Sequence, residues 1–107
     1  MRLTEQEVKA IIAGIELFDT WRVAELRLFG SRVNDQAKGG DIDLLLVLDD
    51  DVAKVSSLIQ KPEILVAIKD VLGERRIDLK IVSKAELQTD PFLQIIYPQS
   101  VLLHRFH

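Results

Sequence analysis

The eight residues Asp41-Ile42-Asp43-Leu44-Leu45-Leu46-Val47-Leu48 decide the fold of this 107-residue chain. After the two aspartates the stretch is apolar at every position, so both faces of the strand that it predicts must be covered. A strand of this kind belongs in the middle of a sheet. Together with the strands and helices predicted around it, this strand leads us to expect an α/β (α+β) domain built on a small mixed sheet, with helices packed mainly on one face.

Two other stretches alternate apolar and polar residues and also predict strands. They cover residues 23–29, before the central strand, and residues 76–82, after it. In the second stretch Ile77, Leu79 and Ile81 share one face, because side chains two apart in a strand point the same way. The core is therefore expected on that face.

Capping signals mark where helices begin. Thr4 and Glu7 form a capping box before a helix with an apolar stripe, and Ser83 and Glu86 form a second box that opens a short turn of helix. The acidic run 49–51 is interpreted as a solvated loop that caps the next helix, since carboxylates are favourable at helix N-termini.

Prolines shape the second half of the chain. Residues 52–72 have a helical pattern but contain Pro62, and proline is tolerated in the first turn of a helix rather than in its middle. The prediction is a short helix near 52–60 and a second helix from Pro62 to a stop at Gly73. The tail, from residue 92 to residue 106, predicts a short helix followed by a small edge strand.

Composition excludes several classes of function. Hydrophobic residues make up 48% and charged residues 29%, which excludes an intrinsically disordered chain. There are 14 basic and 17 acidic residues, so direct binding of nucleic acid through overall positive charge is not expected. The chain has no cysteine, which excludes disulfides, thiol nucleophiles and cysteine-based zinc sites.

Length and hydropathy predict one domain away from membranes. A chain of 107 residues has the size of a single domain, which we assign to residues 1–107. The apolar run Leu44–Leu48 is far shorter than the ~18 residues of a membrane span. The first ten residues lack the apolar core of a signal peptide, so a cytoplasmic location is expected.

Asp41 and Asp43 are the first candidates for chemistry. They share one face of the predicted strand, with backbones roughly 6.5–7 Å apart. Two such carboxylates repel each other unless a cation lies between them, and Mg²⁺ binds through one or two carboxylates plus substrate phosphates. The pair alone is weak evidence, because Asp-Ile-Asp also occurs in ordinary surface strands.

Asp78 lies on the face of its strand opposite to the core. If the two strands are neighbours, Asp78 completes a three-carboxylate cluster that suits two divalent metals. Periodicity fits equally well with a solvent-facing aspartate paired with Lys80 or Arg76. Lys80 itself is either a phosphate contact or one half of that salt bridge.

Gly30 and Ser31 stand directly after a strand and before a predicted helical turn. Glycine allows the backbone to approach a ligand, and amides at a helix start point toward an anion. The two residues suit the phosphates of a nucleotide, although an ordinary Gly-Ser turn is a common alternative. The pattern is not a Walker loop.

The order of these pieces is similar to that of a known family. Leu28-Phe29-Gly30-Ser31-Arg32, a spacer, Asp41-Ile42-Asp43 and Arg76-Ile77-Asp78-Leu79 resemble the minimal nucleotidyltransferases of the DNA polymerase beta-like superfamily. The resemblance covers nearly the whole chain. Relatives often have a glycine inside the spacer and a serine before Asp-x-Asp, and this chain departs from both.

The resemblance implies a role for each matching residue. Asp41, Asp43 and Asp78 would bind two Mg²⁺ ions, with Mn²⁺ as the other candidate, and Asp78 would act as or position the general base. Gly30 and Ser31 would contact the nucleotide phosphates, and Arg32 is either a further phosphate contact or a surface residue.

The resemblance also implies a reaction and a partner. A hydroxyl acceptor would attack the α-phosphate of ATP or another nucleoside triphosphate. Minimal nucleotidyltransferases are typically paired with a small all-helical HEPN protein, as antitoxins that transfer AMP to a tyrosine of that toxin. The alternatives are a non-catalytic module that neutralises its partner by binding, and transfer to a small molecule such as an aminoglycoside. Homo- and hetero-oligomers both fit.

Four other side chains have simpler interpretations. His104 and His107 are expected in a frayed, solvated tail. Trp21 is expected to anchor the core edge. Tyr97 is expected to pack, although an exposed tyrosine is also a conceivable nucleotide acceptor.

Overall fold

The structure is a computed structural model that describes residues 3–18, 22–30, 42–73 and 76–106. Trp21, His107 and the predicted loop over 32–40 lie outside the described residues. Eight elements follow in this order along the described chain: α1 (Glu5–Glu16), β1 (Val23–Phe29), β2 (Ile42–Leu48), α2 (Asp51–Leu72), β3 (Ile77–Ser83), α3 (Lys84–Thr89), α4 (Pro91–Gln99) and β4 (Val101–Arg105).

The strands form one mixed sheet in the order β3-β2-β1-β4. β2 pairs in parallel with β3 and antiparallel with β1, and β1 also pairs antiparallel with β4. The central position of β2 agrees with its sequence, because its side chains from Leu44 to Leu48 are all buried. The mixed sheet and the central strand were both predicted correctly.

Helices cover the two faces of the sheet unequally. The long helices α1 and α2 pack on one face, where Ile11 and Ile68 meet Leu44 in the larger buried cluster. The short helices α3 and α4 partly cover the other face, where Leu93 packs on Leu45 in a smaller cluster. This distribution confirms an α+β fold with helices mainly on one face.

The predicted caps are present. Thr4 and Glu7 form a capping box at α1, with the Glu7 amide donating to Thr4 Oγ1 over 3.1 Å. Ser83 and Glu86 form the second capping box, at the start of α3. Asp50, in the acidic run, caps α2 by accepting from the Ala53 amide at 2.8 Å.

Helix α2 corrects the prediction of a break at Pro62. It runs without interruption for 22 residues and ends at Gly73, which has a φ of 83°. Pro62 is exposed, and the helix continues through it although proline has no N–H to donate to the preceding turn. Ala53 in the first half and Ile68 in the second half belong to the same buried cluster. Packing of both halves on one sheet therefore outweighs the local cost of the proline, which is about 3 kcal/mol.

The length of α2 makes it the natural helix to compare with a membrane span. Of the helices in the described ranges, none is apolar over enough residues to cross a bilayer.

The tail forms the predicted short helix and edge strand, but His104 differs from expectation. His104 lies within β4, pairs with Leu26 of β1 and is half-buried. Its ring contacts Phe106 edge-on, with the ring centroids 4.6 Å apart. Pairing with β1 therefore orders a residue that was predicted to fray.

Candidate active site

Three neighbouring strands bring the predicted site residues into one row. Asp43 of β2 lies opposite Asp78 of β3 in the parallel register, and opposite Phe29 of β1 in the antiparallel register. Gly30 follows Phe29 directly. Since adjacent strands are about 4.8 Å apart, the row places Gly30, Asp43 and Asp78 side by side across the sheet.

The parallel register that sets this row is held at its start by the backbone. The Ile42 amide donates to the carbonyl of Arg76 over 2.9 Å. From there Ile42 pairs with Ile77 and Asp43 with Asp78. A slip of one residue would move one carboxylate to the opposite face, so the register decides whether the two meet.

The two carboxylates share the sheet face on which α4 packs. Asp43 is two residues before Leu45 and therefore points to the same face, where Leu45 belongs to the smaller cluster with Leu93 of α4. Ile42 and Leu44 point to the other face, into the larger cluster. Asp43 is half-buried and Asp78 is exposed. The two carboxylates supply oxygen ligands of the kind that hard divalent cations use.

The alternative interpretation of Asp78 as half of a salt bridge is wrong. Within the described ranges Asp78 makes no ion pair with Lys80 or Arg76. The Lys80 ammonium lies instead over the ring of Phe92, 5.2 Å from its centroid. Lys80 is thus a cation without a carboxylate partner among the described residues, and Asp78 remains available to a ligand.

Position 30 requires a glycine because of its backbone conformation and because the Asp43 side chain lies against it. Its φ of 74° lies in the left-handed region, which side chains other than glycine rarely adopt. A Cβ atom built on Gly30 would overlap the Asp43 carboxylate and lie 3.1 Å from Asp43 Cγ. The glycine therefore allows the end of β1 to pass directly against the carboxylate.

The remaining predicted residues, Ser31, Arg32 and Asp41, lie outside the described residues. The structure thus brings together three of the six predicted site residues, namely Gly30, Asp43 and Asp78.

Comparison with known families places the chain in one of them. The sequence model described as a nucleotidyltransferase domain matches residues 15–99, which is well over half of the chain and includes the whole row. The chain belongs to the nucleotidyltransferase domain family. Comparison with curated protein sequences found no match. Membership of this family indicates a transferase that uses a nucleoside triphosphate, and such domains generally use divalent metals.

The residues of this nucleotidyltransferase domain fit a divalent metal in part. No group of three or more metal-ligating side chains occurs within the described ranges. Asp43 and Asp78 supply two carboxylates in register, and Mg²⁺ often binds through one or two carboxylates with water and substrate phosphates completing its shell. The donor set therefore suits a hard cation shared with a triphosphate.

A groove opens beside Asp78 in the nucleotidyltransferase domain. Its volume is about 360 Å³, within the range of about 300–1,000 Å³ typical of ligand pockets. It follows the outer edge of β3, between α2 and the start of α4. The groove is lined by Phe29, Lys54, Leu58, Lys61, Asp78, Leu79, Lys80, Ile81 and Phe92.

Sequence reasoning missed most of this groove. Lys54 and Lys61 are seven residues apart in α2 and therefore lie on the same side of the helix. That spacing was a usable signal, but the predicted break at Pro62 obscured it. Phe92 carries no comparable signal, because only the packing of α4 brings its ring to β3.

Tyr97 is held in a polar network rather than presented as a free acceptor. Its hydroxyl donates to Glu25 over 2.8 Å, and the Arg27 guanidinium stacks 4.3 Å from the ring centroid. Burial and then the hydrogen bond to Glu25 raise the pKa of Tyr97 above its usual value. Arg27 Nε also donates to Ser100 Oγ over 2.6 Å, so the network ties the end of α4 to β1. These contacts correct the alternative of an exposed tyrosine acceptor.

Proposed function

We propose that this protein is a divalent-metal-dependent nucleotidyltransferase that moves AMP from ATP to a hydroxyl acceptor. The observation that carries the proposal is the row of Gly30, Asp43 and Asp78 across three adjacent strands. The row combines a close backbone approach for phosphates with paired carboxylates for cations. The family match supports the same chemistry.

In this reaction the acceptor oxygen attacks the α-phosphorus of ATP. A new oxygen–phosphorus bond forms, and the bond from the α-phosphorus to the bridging oxygen breaks, so pyrophosphate leaves with the electron pair. Asp78 accepts the hydroxyl proton or orients the hydroxyl for its loss. Asp43 and Asp78, with Asp41, would hold Mg²⁺ or Mn²⁺, and the bound cations would neutralise the charge that develops on the phosphates.

We assign the phosphates of ATP to the Gly30 end of the row, on the side of Asp43 opposite to Asp78. Gly30 permits the backbone to approach them, and we assign Ser31 and Arg32 to the same contact on the basis of the family pattern. Positioning supplies most of the rate in such a reaction, because little covalent chemistry involves the protein itself.

We further propose that the acceptor is a tyrosine of an all-helical HEPN-type toxin and that this protein is its cytoplasmic antitoxin. An exposed apolar stripe supports a protein partner. Val52, Val55, Ile59 and Val66 recur along one side of α2, opposite the side that packs on the sheet, and Ile59 is 74% exposed. An apolar side of this size on a helix favours contact with another protein.

The test is transfer to a purified all-helical HEPN-type protein. With ATP and Mg²⁺ we expect the intact mass of the partner to increase by whole AMP units, and chelation of the metal by EDTA should abolish the increase. An unchanged partner mass with wild-type protein would refute the transferase proposal.

The apolar stripe also favours a second function, neutralisation of the partner by binding alone. Replacement of Asp41 and Asp43 by Asn separates the two functions. A transferase loses neutralisation with this double substitution, whereas a binding module neutralises as well as before. A pull-down of the partner with the same variant serves as the control, because binding should persist in either case.

A further inference from the structure

The row at the active site has two ends with different surroundings. Gly30 lies on the β1 side of Asp43, and Asp78 lies on the β3 side. In an in-line displacement the attacking oxygen and the leaving pyrophosphate are on opposite sides of the α-phosphorus. If the phosphates lie at Gly30, the acceptor must approach from the Asp78 side, where the groove opens.

Two of the three lysines that line the groove have no carboxylate partner among the described residues. Lys54 is paired with Glu86 over 2.6 Å. Lys61 and Lys80 have no carboxylate partner among the described residues, although both are half-buried and the protein has three more acidic than basic residues. Lys80 lies over the Phe92 ring, and neither ammonium group has a described carboxylate against it, so the groove walls favour a ligand with negative charges.

The groove also includes the free edge of a strand. Asp78, Leu79, Lys80 and Ile81 are consecutive residues of β3 and all line it. Within the described ranges β3 pairs only with β2, so its outer N–H and C=O groups have no strand partner. Such an edge binds an extended peptide by adding it as a further strand. A polynucleotide offers no equivalent backbone pattern.

We propose that the groove along β3 binds an extended acidic peptide segment that presents the acceptor hydroxyl to Asp78, with Lys61 and Lys80 as residues that determine specificity. This inference rests on the proposed function for the direction of transfer. The binding site itself depends only on the groove, its charges and the free strand edge.

The experiment measures binding without nucleotide, by fluorescence anisotropy of labelled peptides. One peptide has a central tyrosine with two glutamates on each side, and its partner has glutamines at the same positions. Wild-type protein should bind the acidic peptide about tenfold more tightly, since each exposed ion pair contributes up to about 1 kcal/mol. The double substitution Lys61→Gln with Lys80→Gln should remove this preference.

A matched control keeps the net charge equal. Lys9 in α1 and Lys69 in α2 are exposed and lie outside the groove, so Lys9→Gln with Lys69→Gln should retain the preference. N-methylation of backbone amides beside the tyrosine should weaken binding, because it removes donors that pair with the β3 edge.

Four outcomes would overturn the inference. They are equal affinity for the two peptides, equal loss in the two double variants, no effect of N-methylation, and stronger binding of a single-stranded RNA of matched charge. Selective peptide binding together with an unchanged partner mass in the assay with ATP and Mg²⁺ supports the groove and refutes the proposed function instead, so the two failures are distinguishable.

Discussion

The two faces of the sheet differ in the side chains that they carry. On the α1 and α2 face the described residues form a continuous apolar cluster of fifteen buried side chains. On the α4 face the buried cluster has four side chains, and the rest of that face carries Asp43, Asp78 and the network around Arg27. The first face holds most of the buried apolar side chains, and the second face carries the candidate site.

Successive residues of β2 point alternately to the two faces of the sheet. Leu44 points into the large core and is fully buried, whereas Asp43 points to the opposite face. Because side chains alternate in a strand, neighbouring substitutions should act on different properties of the same protein. Substitutions on the two faces therefore test this separation.

The neighbouring substitutions Leu44→Ala and Asp43→Asn should have opposite profiles. We expect Leu44→Ala to lower the free energy of unfolding by about 2–5 kcal/mol, with kcat of the folded protein near wild type. We expect Asp43→Asn to lower kcat by about 10²–10³ and to change stability by less than about 1 kcal/mol. Urea unfolding and pyrophosphate release measure the two properties.

The division between the faces fails if the two profiles coincide. In particular, a loss of stability in Asp43→Asn as large as that in Leu44→Ala would make Asp43 a structural residue. A normal kcat in Asp43→Asn would remove it from the active site.

Local sequence signals predicted the elements well because their causes are local. Thr4 with Glu7 and Ser83 with Glu86 each satisfy amides within one turn, so the caps follow from four residues. The apolar run of β2 likewise predicted its central place. Pro62 failed as a signal, because the packing that keeps α2 continuous involves residues distant in the sequence.

The candidate site was only partly predictable for a related reason. Periodicity placed Asp78 on the correct face, but only the parallel register shows that it meets Asp43. The overlap that a side chain at Gly30 would make with Asp43 depends on the same pairing. Lys61 and Phe92 reach the groove from different helices, and no spacing in the sequence relates them.

Gly30→Ala should lower kcat strongly and the free energy of unfolding only moderately. The left-handed φ costs an alanine about 1–2 kcal/mol, and the added Cβ atom must displace the Asp43 carboxylate. Because a displacement of about 1 Å can lower a rate by about 10²-fold, we expect kcat to fall by about 10- to 100-fold.

Gly73→Ala is the matched control for that strain. Gly73 also has a left-handed φ, of 83°, but a Cβ atom there meets nothing within 4 Å. The Gly73→Ala variant should lose a similar amount of unfolding free energy and retain the wild-type kcat. Equal kcat in the two alanine variants would show that the contact between Gly30 and Asp43 is unimportant for the reaction.

Tyr97→Phe should have the smallest effect, and it tests how much the hydrogen bond from Tyr97 to Glu25 contributes to stability. The substitution removes the hydrogen bond to Glu25, which keeps its ion pair with Arg27, so we expect a loss of about 1 kcal/mol at neutral pH. The raised pKa of Tyr97 means that folding favours the protonated phenol. This contribution is fully present below the usual tyrosine pKa near 10 and is lost as the pH rises through the folded-state value. The stability difference between wild type and Tyr97→Phe, measured by urea unfolding, should therefore shrink as the pH rises above about 10, and a constant difference would show that the Tyr97 hydroxyl does not titrate with folding.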